Sequence, residues 1–315
     1  MKSIYGLVIV LMFCSIGCGT PRQSSLALGI KAIETPSLKG DFAQTLARAE
    51  EAWAGRLDEA QLRKAIGLYT QAVKMPTPQY DEAQRREVLG QLYVRLSRAY
   101  YLLADSHLFL KLDAKSRDKP MMKVYEQGVT AAEKALALSA PTFVKRVNKT
   151  PSSWKKAVDD VPVKAIGALY WYGANLGKWA MLEGITTIMR RQEDIRATML
   201  MIQRKQPGFF HGAAHRYFGV YHTKVPVGGG DPAQSIIAFE KSIDLAPNYF
   251  ATRVLYASHL ATLKQDQALF EKQLKYVINT PADVVASLTP ENTLEQRKAR
   301  RLLAKTTKLF YQIPN

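Results

Sequence analysis

Cysteine is almost absent from this sequence. Only two cysteines occur in 315 residues, Cys14 and Cys18, and both lie within the first eighteen. The rest of the chain therefore has no internal disulfide and no thiol that could act as a nucleophile or a metal ligand. This excludes a disulfide-stabilised scaffold and the thiol-dependent enzyme classes.

A hydrophobic run long enough to cross a membrane is also missing. The run from Ile4 to Phe13 is shorter than the roughly 20 apolar residues of a spanning helix, and with Lys2 before it the run matches a secretory signal. Small residues before Cys18 resemble the lipobox of bacterial lipoproteins, in which the signal is removed and the cysteine carries a diacylglycerol. Cys14 does not fit that role because Phe13 precedes it. An ordinary signal peptide with an incidental cysteine is the alternative.

The sequence thus predicts three segments. Residues 1–17 form the signal peptide, residues 18–40 hold the lipidated Cys18 and a flexible tether, and residues 41–315 form one helical domain. Such lipidation supplies enough hydrophobic chains for stable attachment, so the domain is expected in the periplasm, anchored to a membrane. Gly19 is not the aspartate that retains lipoproteins in the inner membrane of enterobacteria, which favours the outer membrane.

Acidic residues are scarce relative to basic ones. The chain has 27 Asp and Glu against 44 Lys and Arg, a formal charge of +17, and loss of Lys2 with the signal leaves 17 − 1 = +16. A charge of this size suggests nucleic acid, but export argues against that partner. Anionic lipid headgroups, an acidic protein partner and plain surface solvation remain open.

Sustained alternation of apolar and polar residues, the mark of strands, does not occur. From Asp41 onward apolar residues instead recur at helical spacing, beginning with Phe42, Leu46, Ala49 and Trp53. Small and aromatic residues at several places match parts of the tetratricopeptide pattern without completing it. The predicted fold is all-α: degenerate tetratricopeptide-like hairpins in a compact curved bundle with a central crevice or pore.

Residues arranged for catalysis are lacking too. His211, His215 and His222 would share a helical stripe, but no acid lies among them to act as a general base, so a metal site is the less favoured interpretation. The glycines before Asp231 lack the lysine of a phosphate loop, and Asp231 with Pro232 reads as a helix start. We expect no enzyme activity and no cofactor.

Aromatic residues, in contrast, are concentrated in two segments. Residues 165–181 read AIGALYWYGANLGKWAM, with Gly173 and Gly177 on one face for close helix packing, and the second cluster begins at Phe209. The aromatic residues could form only a core, or they could line a cavity with a few polar groups. For a ligand crevice we predict these residues: Trp171, Tyr172, Asn175, Trp179, Phe210, His211, His215 and Tyr217.

The final helix carries a basic stripe of Arg297, Arg301, Lys305 and Lys308 opposite apolar residues. A solvated face is the favoured interpretation, and a surface for a partner or for lipid headgroups is the alternative.

Four stretches carry a family resemblance. They are YWYGANLGKWA at 170–180, FFHGAAHRYFGVYHTKVPVGGGD at 209–231, FEKSIDLAPNYF at 239–250 and LTPENTLEQRKARRLL at 288–303. With the lipobox, this combination resembles the TatT family, lipoproteins associated with tripartite ATP-independent periplasmic (TRAP) transporters. The resemblance is close over residues 163–310 and looser before them.

The resemblance implies an all-helical protein with an apolar crevice or pore in each subunit. It also implies a homo-oligomer, specifically a trimer, that works with the periplasmic solute-binding component of the transporter. The ligand would be small and partly apolar, an organic acid or a lipid-like molecule. A scaffold that binds a peptide or protein partner in the cell envelope is the alternative function.

Overall fold

The structure, a computed structural model, describes residues 22, 24–150, 153–224 and 230–311. Helices form almost all of the regular structure in these ranges, and no strand occurs in them, which confirms the all-α prediction. None of the helices described there is both long and apolar enough to cross a membrane. The tetratricopeptide detail of the prediction stays a prediction.

The helices are numbered here in chain order. They are α1 Ile30–Glu34, α2 Phe42–Ala54, α3 Glu59–Ala72, α4 Glu82–Leu102, α5 Phe109–Lys111, α6 Asp118–Ser139, α7 Pro141–Lys149, α8 Trp154–Ala157, α9 Ile166–Glu183, α10 Ile185–Lys205, α11 Phe209–Lys224, α12 Pro232–Leu245, α13 Phe250–Leu255, α14 Gln267–Asn279, α15 Thr289–Leu303 and α16 Thr306–Leu309. A π-helical turn, Leu103–Leu108, joins α4 to α5, and another, Tyr256–Ala261, follows α13.

Antiparallel neighbours build the body of the molecule. The closest helix pairs are α2 with α3, α4 with α6, α6 with α9, α9 with α10, and α11 with α12. Their apolar faces form one large core, whereas α13, α14 and α15 enclose a separate small core around Phe250, Phe270 and Leu274. The cavity described below lies where these two parts of the fold meet.

Capping residues fix several helix starts. Asp41, Asp58, Asp81, Asp231 and Asp266 each accept a hydrogen bond from a backbone N–H in the first turn of the helix that follows. These bonds satisfy donors that have no partner within the helix and place a negative charge at its positive end. The helix start predicted at Asp231 is therefore confirmed.

Two short helices, α7 and α8, occupy much of the described chain between α6 and α9, and helical spacing in the sequence does not predict them. Pro141 begins α7, and Phe143, Val144 and Val147 bury one side of that helix. The ring of Trp154 stacks on Tyr172 at 4.9 Å. Segments of nine and four residues are too short to form stable helices alone, so packing against the rest of the protein holds α7 and α8 in place.

The aromatic helix α9 packs its two faces in different ways. The glycine at 173 meets Met199, Thr198 and Ile195 of α10, so the predicted close helix packing on this face is confirmed. On another face the amide of Asn175 donates to the carbonyl oxygen and hydroxyl of Ser97 at 3.2 and 3.0 Å. A β-carbon added to Gly128 of α6 would lie 2.5 Å from Cγ of Asn175.

We expect Gly128→Ala to lower the free energy of unfolding by about 2 kcal/mol, because an extra methyl group in a closed core forces its neighbours apart. Gly177→Ala is the matched control, since its β-carbon would lie 3.8 Å from Ile195, an ordinary contact. That substitution is expected to be neutral or slightly stabilising. Urea unfolding followed by circular dichroism compares the two, and equal shifts would contradict the packing described for Asn175.

Candidate functional site

A cavity of about 410 Å³ lies between the large core and the C-terminal helices. Its walls come from α4 and the π-helical turn after it, from α6, α9 and α11, and from α13 and α15. The volume falls within the range of about 300–1,000 Å³ that is usual for small-molecule sites. The C-terminal helices therefore complete a site that the aromatic helix begins.

Aromatic rings form the apolar part of this wall. The centroid of Trp171 lies 5.4 Å from that of Tyr101 and 4.9 Å from that of Phe210. Tyr170 lies 5.6 Å from Phe210, which lies 5.7 Å from Tyr249. Edge-to-face and tilted contacts of this kind hold the rings in place, so the wall is preformed rather than assembled by a ligand.

Arg216 is the polar group that distinguishes this cavity. The residue is almost fully buried, with 6% of its surface exposed to solvent. Among the described residues that line the cavity, each charged side chain except Arg216 has an ion-pair partner of opposite sign. Burial alone would lower the pKa of Arg216, but the hydroxyl groups of Tyr170 and Tyr249 raise it. The guanidinium is therefore a buried cation without a carboxylate.

A left-handed turn places Arg216. Phe210, His211 and Gly212 have φ angles of 41°, 61° and 69°, a region that costs non-glycine residues about 1–2 kcal/mol each. The Arg216 guanidinium donates to the carbonyl oxygens of His211 and Phe210 at 2.9 and 3.2 Å. These bonds hold the turn closed and direct the Phe210 ring into the cavity. The turn therefore breaks the helical spacing on which a shared stripe of the three histidines would depend.

An ion cluster forms the opposite part of the wall. The carboxylate of Asp105 lies 2.6 Å from Nζ of Lys178 and 2.7 Å from Nζ of Lys298, and it accepts a hydrogen bond from Tyr125 at 3.2 Å. Burial would raise the pKa of Asp105, but the two ammonium groups hold it well below its ordinary value. Burial raises the pKa of Glu295, the second partner of Lys298 at 2.6 Å. The lysines thus stabilise the charged form of Asp105 more strongly than that of Glu295.

A second cluster joins the N-terminal and C-terminal helices beside the cavity. Glu291 of α15 accepts two hydrogen bonds from Arg56, at 2.9 and 2.8 Å, and one from Arg98 at 2.9 Å. Burial would raise the pKa of Glu291, but the two guanidinium groups lower it. Because Arg56 follows α2 and Arg98 lies on α4, this carboxylate fixes α15 against the first hairpins.

Two further spaces adjoin the cavity. One, of about 280 Å³, lies between α9, α10 and α11 and shares Tyr101, Tyr170 and Arg216 with the central cavity. The other, a groove of about 900 Å³ along α4, shares Arg98, Trp171 and Phe210 with it. Arg98, Trp171 and Phe210 thus form the wall between the groove and the cavity. A shift of these side chains would open a passage from one to the other.

The predicted crevice residues are divided between this site and the core. Trp171 and Phe210 line the central cavity, and Tyr217 lines the smaller space that adjoins it. Tyr172 stacks on Trp154, and Asn175 is fully buried between α4, α6 and α9, so both lie in the core. Trp179, also buried, lines neither space.

The left-handed turn places His211 and His215 in different parts of the structure. His211 stacks on Tyr249, with 4.7 Å between centroids, and burial followed by the charges of Arg216 and Arg98 lowers its pKa. His215 lies in a different groove, where its Nδ1 is 3.0 Å from Nε2 of Gln203 and burial lowers its pKa. Within the described ranges no three His, Cys, Asp or Glu side chains are grouped so that they could hold a metal ion.

The C-terminal stripe is not one continuous helical face. Arg297 is exposed on α15, whereas Arg301 donates to the carbonyl oxygens of Phe109 and Leu110 at 2.9 and 3.3 Å. Lys305 and Lys308 are exposed after α15 has ended. The lipidation site predicted at Cys18 lies outside the described residues.

Sequence reasoning missed the residues that give the site its charge. Arg216 is the one lysine or arginine between Phe209 and Tyr221, and no acidic residue lies in that segment. This arrangement was the one feature of the sequence that could have indicated an arginine without a carboxylate partner. Asp105 and Lys298 gave no such signal, because 193 positions separate them along the chain. Tyr101 and Tyr249 were missed for the same reason, since neither belongs to the aromatic clusters of α9 and α11.

Comparison with known proteins agrees with this architecture. No curated protein matches the chain. The family model described as TRAP transporter T-component matches residues 89–310, a span that contains all of α9 to α15 and most of α4. This match covers more than half of the sequence and includes almost all of the cavity wall. The chain therefore belongs to the family of TRAP transporter T-components.

Proposed function

We propose that this protein holds a small organic anion with an apolar portion in its central cavity and relays it to or from the solute-binding component of a TRAP transporter. As a member of the family it is a component of a TRAP transporter and associates with other components at the cell envelope. The family is associated with transport rather than with a known enzymatic reaction. The ligand, and the solute-binding component as the partner that exchanges it, are what the proposal adds.

The observation that carries this proposal is the position of Arg216. A buried guanidinium without a carboxylate, set among aromatic rings, can bind a carboxylate by two parallel hydrogen bonds while the rings cover an apolar tail. Burying such a charge is costly unless it has a partner, and an anionic ligand would provide one. The adjoining apolar space beside Tyr217 would take the rest of the molecule.

A brominated fatty acid tests the proposal directly, because bromine quenches tryptophan fluorescence on contact and Trp171 is the tryptophan of the cavity wall. We expect 11-bromoundecanoate to quench the emission with saturation. The variant Trp171→Phe is expected to lose most of that quenching, whereas Trp53→Phe, which removes a tryptophan that does not line the cavity, is expected to keep it. Quenching that does not saturate, or that survives Trp171→Phe, would argue against ligand binding here.

A peptide-binding scaffold remains the second candidate function. The groove of about 900 Å³ along α4 favours it, because that groove is open and is lined by charged residues such as Arg86, Glu87 and Arg95. Two results together would support this candidate instead. The protein would fail the brominated-acid test, and it would bind an envelope protein or peptide that no longer binds when the charges of Arg86 and Arg95 are reversed.

The anchor and the oligomer belong to the same proposal. We infer that Cys18 carries the lipid, that the folded part faces the periplasm from the outer membrane, and that the protein acts as a trimer. The intact mass of protein extracted from membranes, with and without Cys18→Ser, tests the acylation. Light scattering of the purified protein tests the trimer, and a monomeric mass would remove that part of the proposal.

A further inference from the structure

The N-terminal segment is fixed to the body by one buried carboxylate. Glu133 of α6 is fully buried and accepts hydrogen bonds from both Nη atoms of Arg22 at 2.9 and 2.6 Å, and from the hydroxyl of Ser24 at 2.8 Å. The backbone N–H and the hydroxyl of Ser25 also donate to it, each at 2.8 Å. Hydrogen bonds to a buried charge are among the stronger ones in proteins, so Arg22, Ser24 and Ser25 have a defined place on the body.

This clamp limits how far the body can lie from its anchor. Only residues 19–21 separate Cys18 from Arg22, and a fully extended chain of that length spans at most about 14 Å between the two α-carbons. The following step rests on the proposed lipidation of Cys18. With the lipid in the bilayer, the face of the protein that carries Arg22 must lie next to the headgroups.

Exposed lysines surround this point of attachment. The amide of Asn148 in α7 donates to the carbonyl oxygen of Leu26 at 2.8 Å, which places α7 beside the clamped segment. Lys145 and Lys149 are exposed and lie three positions before and one after Asn148. The spacings of three and four residues from Lys145 to Asn148 and to Lys149 put these side chains on one face of the helix.

The next helix adds two more exposed lysines, Lys155 and Lys156. Trp154 beside them packs edge-on against Phe143 of α7, with 5.0 Å between ring centroids, which places these lysines next to α7. We call Lys145, Lys149, Lys155 and Lys156 the α7–α8 lysine face. In the part of the chain that the structure describes, none of the four forms an ion pair, whereas Arg146 between them is neutralised by Asp160.

We propose that the α7–α8 lysine face docks on anionic phospholipid headgroups and so sets the orientation of the protein on its membrane. Lysines within about 8 Å of an anionic surface are attracted with little screening at physiological salt, and several together act additively. The clamp at Glu133 keeps this face beside the point of attachment, and the lipid anchor adds to the electrostatic attraction by holding the face at the bilayer. The orientation leaves the cavity and the α4 groove at a fixed position relative to the bilayer.

Vesicle co-sedimentation of the mature chain with Cys18→Ser, which cannot be acylated, tests the surface by itself. We expect binding to vesicles of phosphatidylglycerol and phosphatidylcholine in equal parts and none to phosphatidylcholine alone. Replacing the four lysines with glutamine is expected to weaken binding by at least about tenfold. The control Arg297→Gln/Lys305→Gln/Lys308→Gln neutralises the exposed cations of the C-terminal stripe and is expected to change binding by less than about twofold.

Three outcomes would overturn the proposal. Equal losses in the two sets of variants would show that binding follows net charge, and a larger loss in the C-terminal set would assign the headgroup surface to that stripe. Circular dichroism of each variant confirms folding, and 11-bromoundecanoate quenching reports the cavity separately. A protein that binds the brominated acid but not the anionic vesicles therefore loses this inference and keeps the proposed function.

Discussion

Replacing Arg216 with methionine is expected to weaken the binding of 11-bromoundecanoate by about 100-fold. The guanidinium lies in the cavity wall among Tyr170, Phe210 and Tyr249, and it is the buried cation there that no carboxylate neutralises. Truncating one partner of a buried charge pair costs about 2–5 kcal/mol, which corresponds to a loss of this size. Quenching titrations of Trp171 fluorescence measure the affinity of each variant.

The neutral analogue 11-bromoundecanol separates charge recognition from cavity shape. It has the same apolar chain and no carboxylate, so Arg216→Met should change its affinity by less than about threefold. Arg253→Met is the matched control, since Arg253 is a half-buried arginine that stacks on Tyr276 at 3.7 Å and lies outside the cavity.

Arg216 also holds the turn at Phe210, so loss of binding could come from a collapsed cavity. Arg216→Lys keeps the charge and is expected to recover part of the affinity for the acid, although an ammonium group cannot bind a carboxylate by two parallel bonds. Equal losses for the acid and the alcohol would show that Arg216 maintains the cavity without recognising an anion.

The aromatic helix shows how far the sequence could be interpreted. Residues 165–181 have no charge except Lys178, so the burial of this stretch and the close packing at Gly173 followed from local composition. Local composition did not predict which face of the helix lines the cavity. Trp171 lines the cavity, whereas Asn175, one turn later, fits against Gly128 and Ser97 in the core. The partner helices decide that difference, and they come from distant parts of the chain.

The turn at Phe210 was not predictable for a different physical reason. Left-handed conformations are expected at glycine, and Gly212 is the one glycine of the three residues concerned. Phe210 and His211 adopt the same conformation against their own preference, which is possible because the side chain of Arg216 binds both of their carbonyl oxygens. A pattern of helical spacing contains no information about such a bond.

Among the substitutions considered, Asp105→Asn is expected to lower the free energy of unfolding the most. Asp105→Asn keeps the shape of the side chain but removes the charge that faces Lys178 and Lys298, whose ammonium groups lie at 2.6 and 2.7 Å. Lys298 is almost fully buried and would keep only Glu295, whose carboxylate is itself destabilised by burial. Leaving a buried charge without its partner costs about 3–5 kcal/mol, and we expect the free energy of unfolding to fall by about that amount.

The matched control is an ion pair of the same length on the surface. Glu271 and Lys275 also lie 2.6 Å apart, but this pair is exposed to solvent. Water screens such a pair, so Glu271→Gln should leave the midpoint of urea unfolding nearly unchanged. Similar effects of the two substitutions would contradict the account of Asp105 as a buried counter-ion.

The difference between wild type and Asp105→Asn should also depend on pH. The lysines hold the pKa of Asp105 in the folded protein below its value of about 3.9 in an unfolded chain. A group whose pKa is depressed by folding stabilises the folded state above the unfolded pKa and loses that contribution as pH falls through the folded pKa. Urea unfolding at several pH values should therefore show a constant difference between about pH 5 and pH 7 that shrinks below about pH 4. A difference that stays constant to the lowest pH would contradict the account of Asp105 as a charged counter-ion of the two lysines.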